Sequence, residues 1–320
     1  MVSAKRVLLT GGTGFVGVNL ARRLVRDGHT VHLLVRPRHA SWRLADLGDA
    51  VQIHVTDLSD ADGLARVVGE VRPEWIFHLA AYGAYSSQTD ASRIMQTNVI
   101  GTVNLVEACL HTGFEAFVNT GSSSEYGLKD HPPREDEYVE PNSHYAVAKV
   151  SATLYCRHTA QSRDVHMPTL RLYSVYGPYE EPTRLMPTLI ARGIKGALPA
   201  LVHPDIARDY VYTEDVADAF LLAATRQGQE RGAVYNVGTG VQTTLRQVVD
   251  VARETFGIIA DPSWGSMPNR GWDTTIWVAN NARIRTALGW RPQYDFPEGF
   301  RAMVRWFTEH PEFERIYARD

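Results

Sequence analysis

The sequence predicts an α/β protein: a doubly wound parallel sheet with helices on both faces, and a smaller C-terminal unit interleaved with it. Three observations carry that expectation. Short apolar runs alternate with longer amphipathic stretches through the first half of the chain. The first apolar run ends in a glycine turn, Thr10-Gly11-Gly12-Thr13-Gly14-Phe15-Val16-Gly17, which leads directly into a helical pattern. At 320 residues, 44% apolar and 22% charged, the chain is globular in composition and long enough for one large α/β domain or two smaller ones.

The elements follow in order. Arg6-Val7-Leu8-Leu9 reads as the first strand, and Val18 to Val25 as the helix after the glycine turn. Further strands are expected at 30–35, 51–55, 74–79, 116–120 and 165–173, with helices at 60–70, 92–112 and 143–162. Short apolar strands separated by helices imply a parallel sheet covered on both faces, with ligands at the carboxyl ends of its strands. Beyond residue 173, helices are expected at 185–193, 215–225, 245–256 and 298–309, and a strand at 233–237 is expected to rejoin the main sheet. No repeat or low-complexity segment is present.

Composition excludes several functions. A net charge of −3 without a polybasic run argues against nucleic acid and anionic membrane as partners. No apolar run approaches the ~18 residues of a membrane span, and no signal peptide precedes the first strand, so a cytoplasmic protein is expected. Cys109 and Cys156 show no metal-ligand spacing and are expected as buried thiols.

The glycine turn has the chemistry of a dinucleotide site. Gly11, Gly14 and Gly17 permit positive φ and close approach of backbone to a pyrophosphate, and the helix that follows aims its N–H groups at the phosphates. The first half of the chain, 1–173, is thus expected to be a dinucleotide-binding domain of Rossmann type, with 174–320 mainly a substrate domain. An NAD site usually carries Asp or Glu at the tip of the second strand. Here the tip is Arg36-Pro37-Arg38, and guanidinium groups pair with a 2′-phosphate, so NADP(H) is expected, with Arg36 the first contact and Arg38 the second. NAD is the alternative.

Asp57-Leu58 follows the third strand at the position of an adenine contact, and Leu79-Ala80-Ala81 ends the fourth with side chains small enough for a flat cofactor. Asn98 is polar within a helical pattern and is expected to kink it or to hold a proton path open. Strand five ends in Ser122-Ser123-Ser124-Glu125-Tyr126-Gly127, and a Pro- and acid-rich loop at 131–137 follows, long enough for a lid. Tyr145 and Lys149 are one helical turn apart on one face. A phenol near its reference pKa of about 10 needs a neighbouring ammonium and a cationic ring to act as an acid or base at neutral pH. Tyr145 is therefore expected as the proton donor or acceptor, Lys149 as the group that lowers its pKa, and a serine of the 122–124 run as the group that polarises a carbonyl.

On these residues the sequence resembles the extended short-chain dehydrogenase/reductase family, within it the nucleotide-sugar epimerases, dehydratases and reductases. The match covers nearly the whole chain and includes His78-Leu79-Ala80-Ala81, Arg208-Asp209-Tyr210-Val211 and Tyr235-Asn236-Val237-Gly238. The resemblance implies cofactor contacts from Gly11, Thr13, Gly14, Phe15, Val16 and Gly17, from Asp57, Leu58, Leu79, Ala80, Ala81 and Asn98, and from Tyr145, Lys149 and Tyr173. It implies a grip on the substrate pyrophosphate by Arg208 and Arg270. Ser174 stands where relatives carry a substrate-binding Asn. An ungapped match makes Ser122 the catalytic serine; a one-residue gap makes it Ser123. The acidic pair of the 4,6-dehydratases is replaced by Ser123-Ser124 unless that gap is allowed, when Glu125 supplies an acid. With the arginine tip, this favours an NADP(H)-dependent reductase of a nucleotide-linked 4-keto-6-deoxy sugar. A nucleotide-sugar 4-epimerase that retains its cofactor is the alternative; a 4,6-dehydratase, a reductase of small carbonyls and a non-catalytic NADP sensor rank below both. Family habit implies a homodimer built on the helices at 92–112 and 143–162.

Overall fold

The computed structural model describes residues 3–39, 42–226, 230–268 and 274–317. Alternation of strand and helix begins with β1 (Arg6–Thr10), α1 (Phe15–Arg26), β2 (Thr30–Val35), β3 (Val51–Val55), α2 (Ala61–Val71) and β4 (Trp75–His78). A broken helix follows, α3 (Ala91–Met95), a π-helical turn (Gln96–Ile100) and α4 (Gly101–Thr112), then β5 (Ala116–Ser122), α5 (His144–Arg163) and β6 (Thr169–Leu172). The second half comprises β7 (Ser174–Tyr176), α6 (Leu185–Ile194), β8 (Ala207–Arg208), β9 (Tyr210–Tyr212), α7 (Thr213–Thr225), β10 (Val234–Val237) and β11 (Thr243–Thr244). It ends with α8 (Leu245–Phe256), α9 (Ala282–Leu288), α10 (Phe296–Glu309) and α11 (Glu314–Tyr317).

Seven strands form one parallel sheet in the order β10-β6-β5-β4-β1-β2-β3. Strand order reverses direction between β1 and β4, and that switch point opens a crevice above their carboxyl ends. The pleat divides the core. Val7 and Leu9 of β1 face one layer with Leu20 and Leu24 of α1 and Phe220 of α7, while Leu8 faces the other with Leu64 of α2, Leu105 of α4 and Cys156 of α5. This is the Rossmann-type sheet the sequence predicts. A third apolar cluster, with Met186, Leu189 and Ile190 of α6, Val248 and Val249 of α8 and Phe300 and Met303 of α10, packs apart from both.

The departures are local. β6 begins four residues later than expected: Val165 N–H donates to Ala160 O to close α5, and although His166 O and Pro168 O accept from Phe117 and Asn119 N–H of β5, Pro168 has no N–H with which to continue the ladder. The pairs β7–β9 and β8–β11 are too short to leave a period in the sequence. The loop at 131–137 is anchored rather than free. Pro133 O accepts from Asn236 Nδ2 at 2.9 Å, and buried Glu135 accepts from Asn236 N–H at 2.9 Å. Cys109 and Cys156 are buried and unbridged. Among the described residues no helix is long and apolar enough to cross a membrane.

Candidate active site

The glycine turn is closed by Gly14 N–H donating to Gly11 O at 2.9 Å. Gly11 has φ +74°, and a Cβ there would lie 2.6 Å from Leu79 C and Ala80 N. At Gly17 a Cβ would lie 2.2 Å from Gly11 O. Thr13, Gly14, Phe15 and Val16 are partly exposed at the turn, and α1 starts from Gly14 without a side-chain cap. The first N–H groups of α1 therefore have no side-chain acceptor, and with backbone able to approach closely they fit a dinucleotide pyrophosphate.

Beneath the turn runs a saturated polar chain. Thr102 Oγ1 donates to Asn98 O at 2.7 Å, so it accepts from His78 Nε2 at 2.9 Å. His78 Nδ1 then accepts the Thr10 hydroxyl at 2.8 Å, and Thr10 Oγ1 accepts Ala80 N–H at 3.1 Å. Burial, with Lys149 nearby, pushes His78 down to about 3, so it is neutral. The chain fixes Leu79 and Ala80, both half-buried; Ala81 is exposed. The π-turn puts the kink where Asn98 falls, but the proton path is not seen. Asn98 Oδ1 accepts Tyr82 N–H and Nδ2 donates to Tyr82 O, each at 2.8 Å. Its amide thus ties the helix to the main chain of Tyr82.

At the tip of β2 both Arg36 and Arg38 are exposed. Asp57 is exposed beside them; Ser59 N–H at 2.9 Å holds its carboxyl below the usual range, with Arg36 and Arg93 adding to the effect. Leu58 offers no side chain to this edge. Its side chain is core, its Cβ 2.7 Å from the place of a Cβ on Gly101, and its carbonyl accepts from Asn104 Nδ2 at 2.9 Å. It supports Asp57 from behind.

The structure brings Ser122, Tyr145 and Lys149 together. Ser122 ends β5 and caps the short turn Ser123–Tyr126, reciprocally with Glu125. Its hydroxyl lies 2.8 Å from Ser124 Oγ and near enough to the Tyr145 phenol to favour its ionised form. Ser123 is buried on the other side, with Tyr126, Tyr173 and Trp277. The ungapped placement, Ser122, is thus the one beside the tyrosine. Burial pushes Tyr145 up to about 12, with Ser122 opposing. Lys149 is 5% exposed, donates to Thr120 O at 2.7 Å and is pushed down to about 8 by burial. Its Nζ stands 6.0 Å from the Tyr145 ring centre. The expected direct Lys–Tyr contact is therefore absent, and Lys149 by itself does not bring the phenol towards neutrality.

Glu125 is removed from the chemistry. It is fully buried and accepts from Ser122 N–H at 2.9 Å, Thr153 Oγ1 at 3.1 Å and Arg171 Nε at 2.8 Å. The Tyr173 phenol is buried, with Tyr126, Asp209 and Glu135 near it. Ser174 N–H donates to Asp209 O at 3.0 Å and its side chain is half-buried. Arg208 donates to Ala207 O at 2.8 Å and its guanidinium lies 5.4 Å over the Trp277 ring. Arg270 lies outside the described residues. Sequence reasoning missed the roles of Thr10 and Thr102 in the polar chain beneath the turn, because their partner His78 comes from another strand.

Residues 7–238 match the NAD dependent epimerase/dehydratase family, and the chain belongs to it. It is 33% identical over 312 residues to a UDP-glucose 4-epimerase of Mycolicibacterium smegmatis, covering 94% of this chain and 98% of that protein. The UDP-glucose 4-epimerase of Thermotoga maritima, solved with UDP-glucose, is 26% identical with a TM-score of 0.85, covering 95% of this chain and 99% of that one. The Thermus thermophilus UDP-glucose 4-epimerase, solved with NAD, is 30% identical with a TM-score of 0.82, covering 94% and 98%. The chain is thus an NAD(P)-dependent nucleotide-sugar enzyme of the extended short-chain dehydrogenase/reductase group.

Proposed function

We propose that the chain is a nucleotide-sugar 4-epimerase acting on a nucleoside diphosphate hexose. One observation carries the choice of C4 chemistry without dehydration. Ser122, which ends β5, is near enough to the Tyr145 phenol to favour its ionised form, while Ser123-Ser124 replace an acidic pair and Glu125 is sealed by Arg171. Elimination of water needs an acid and a base beside the sugar that this arrangement does not offer. The relatives with full-length coverage support the epimerase over the reductase that the sequence favours.

The glycine turn and the α1 N-terminus would hold the pyrophosphate of NAD(P), which when bound supplies the hydride acceptor and donor at C4. Tyr145 takes the proton of the C4 hydroxyl and returns it on reprotonation, and Ser122 hydrogen-bonds the oxygen that changes charge. Lys149, desolvated and anchored on Thr120 O, adds positive charge under the site. Arg208 grips the substrate pyrophosphate, with Arg270 as its proposed second arm.

A reductase is the second reading, favoured by the exposed Arg36 and Arg38 that suit a consumed NADPH. The test is incubation of the purified protein with UDP-glucose, UDP-galactose and dTDP, GDP and CDP hexoses, following sugar identity and 340 nm absorbance together. Interconversion of C4 epimers without net change in absorbance is expected. Stoichiometric loss of NADPH with a 4-keto sugar overturns the epimerase and establishes the reductase.

A further inference from the structure

Asn236, within β10, is fully buried, and its carboxamide uses both of its polar atoms. Oδ1 accepts the Tyr126 hydroxyl at 2.8 Å, and Nδ2 donates to Pro133 O at 2.9 Å and to Asn280 O at 3.1 Å. The sense of these bonds is forced. Arg171 Nη1 donates to the Tyr126 hydroxyl at 2.8 Å, so that hydroxyl gives its own proton to Asn236 Oδ1. Both amide protons then face carbonyl oxygens, which only accept. A side chain of this size meets one donor and two acceptors only as an amide.

The three partners belong to three separate stretches of chain: Tyr126 to the turn after β5, Pro133 to the loop beyond it, and Asn280 to the segment that leads into α9. The same three stretches wall a narrow cleft. Ser123 and Tyr126 line it from the first, His131 and Pro133 from the second, Trp277 and Val278 from the third. The first wall is tied to the reacting serine, since Glu125 accepts from Ser122 N–H at 2.9 Å and from Arg171 Nε at 2.8 Å. The third meets the Arg208 guanidinium, which lies 5.4 Å over the Trp277 ring. A buried hydrogen-bonded chain thus runs from Ser122 through Glu125, Arg171, Tyr126 and Asn236 to the main chain of Asn280. The cofactor turn stands apart from it: β10 is four strand spacings from β1, about 19 Å across the sheet.

We propose that Asn236 is the positioning residue of the substrate cleft. Its amide sets the turn beyond Ser122, the 131–135 loop and the 274–281 segment against one another, so that a nucleoside diphosphate held by Arg208 presents its sugar to Ser122 and Tyr145. This rests on the nucleotide-sugar reading above. Asn236 acts through the three walls, and the proton chemistry stays with Tyr145.

Two variants test the link from its two ends. Asn236→Asp keeps the size and turns a carboxylate oxygen towards Pro133 O and Asn280 O. Tyr126→Phe removes one hydroxyl and keeps the ring, and it carries the test alone if the first variant does not fold. Calorimetric Kd values are measured for UDP, dTDP, GDP and CDP and for NAD⁺ and NADP⁺, with kcat and KM for the preferred nucleotide sugar. Asn236→Asp should weaken the preferred nucleoside diphosphate about tenfold and raise KM to match, and Tyr126→Phe should do the same about threefold. In both, kcat should change less than KM, and dinucleotide Kd should stay within about twofold. An asparagine that only supports the fold would lower the melting temperature and leave these Kd values unchanged, and that result overturns the assignment. So does equal weakening of dinucleotide and diphosphate, or a fall in kcat at constant KM. If neither a nucleoside diphosphate nor a nucleotide sugar binds the wild type, the functional reading falls and takes this one with it.

Discussion

Glu125, in the turn that follows β5, and Glu180, between β7 and α6, are both buried carboxyls. Glu125 is bonded by a main-chain N–H, a hydroxyl and a buried guanidinium, and Arg171 also donates to the Tyr126 hydroxyl at 2.8 Å. Among the described residues, Glu180 has one cation at 3.8 Å, half in solvent, and an oxygen with no hydrogen-bond partner. A carboxyl whose lone pairs are all used has no capacity left for substrate, however close it lies to the reacting serine. One with an unused oxygen retains it. Saturation, rather than distance along the sequence, separates the two roles.

Breaking the saturated side gives the largest effect. Glu125→Ala leaves Arg171 buried without its partner and should cost about 3–5 kcal/mol in urea unfolding. A loss below about 1 kcal/mol would show that the pair does not hold the end of β5. Next comes Tyr145→Phe, which removes one hydroxyl and leaves the packing. Turnover should fall about 10²- to 10⁴-fold with an unchanged circular dichroism melt. Activity retained within tenfold would remove Tyr145 from the proton transfer. Arg36→Ala should lower the preference for NADPH over NADH by about tenfold, one lost charge-assisted contact. An unchanged ratio of kcat/KM values would assign the preference elsewhere.

The same contrast shows what the sequence could tell. The parallel sheet, the glycine turn and the Ser122–Tyr145–Lys149 group were legible because each has a period or spacing: apolar runs for strands, three glycines at intervals of three, and i, i+4 on α5. The partners of Leu58 and Asn98 were not legible because they come from elsewhere in the chain: Asn104 for Leu58 and Tyr82 for Asn98. Lys149 was placed on the right face, but its long side chain reached Thr120 O rather than the phenol, which spacing cannot show. Glu180 had no signal at all, since an unused oxygen is a property of the folded surroundings.

The smallest effect sharpens the comparison most. A carboxyl raised from 4.5 to about 8 on folding contributes stability that is complete below pH 4.5 and is lost as pH rises through 8. Other groups also titrate there. His78, lowered to about 3 by burial, makes stability rise with pH up to its ordinary range near 6.5, and Lys149, lowered to about 8, acts above that. These contributions cancel in the difference between wild type and Glu180→Gln. The ligand-free proteins should therefore match near pH 4.5, where Glu180 is protonated and isosteric with the amide. From there the variant should gain on the wild type by no more than about 1.4 kcal/mol per pH unit until about pH 8, then hold a constant advantage. A difference flat from pH 4.5 to 9 would mean that Glu180 ionises in the fold as it does in the open chain. The carboxyl would then not be shielded as its burial requires, and the contrast with Glu125 would reduce to a difference in partners alone.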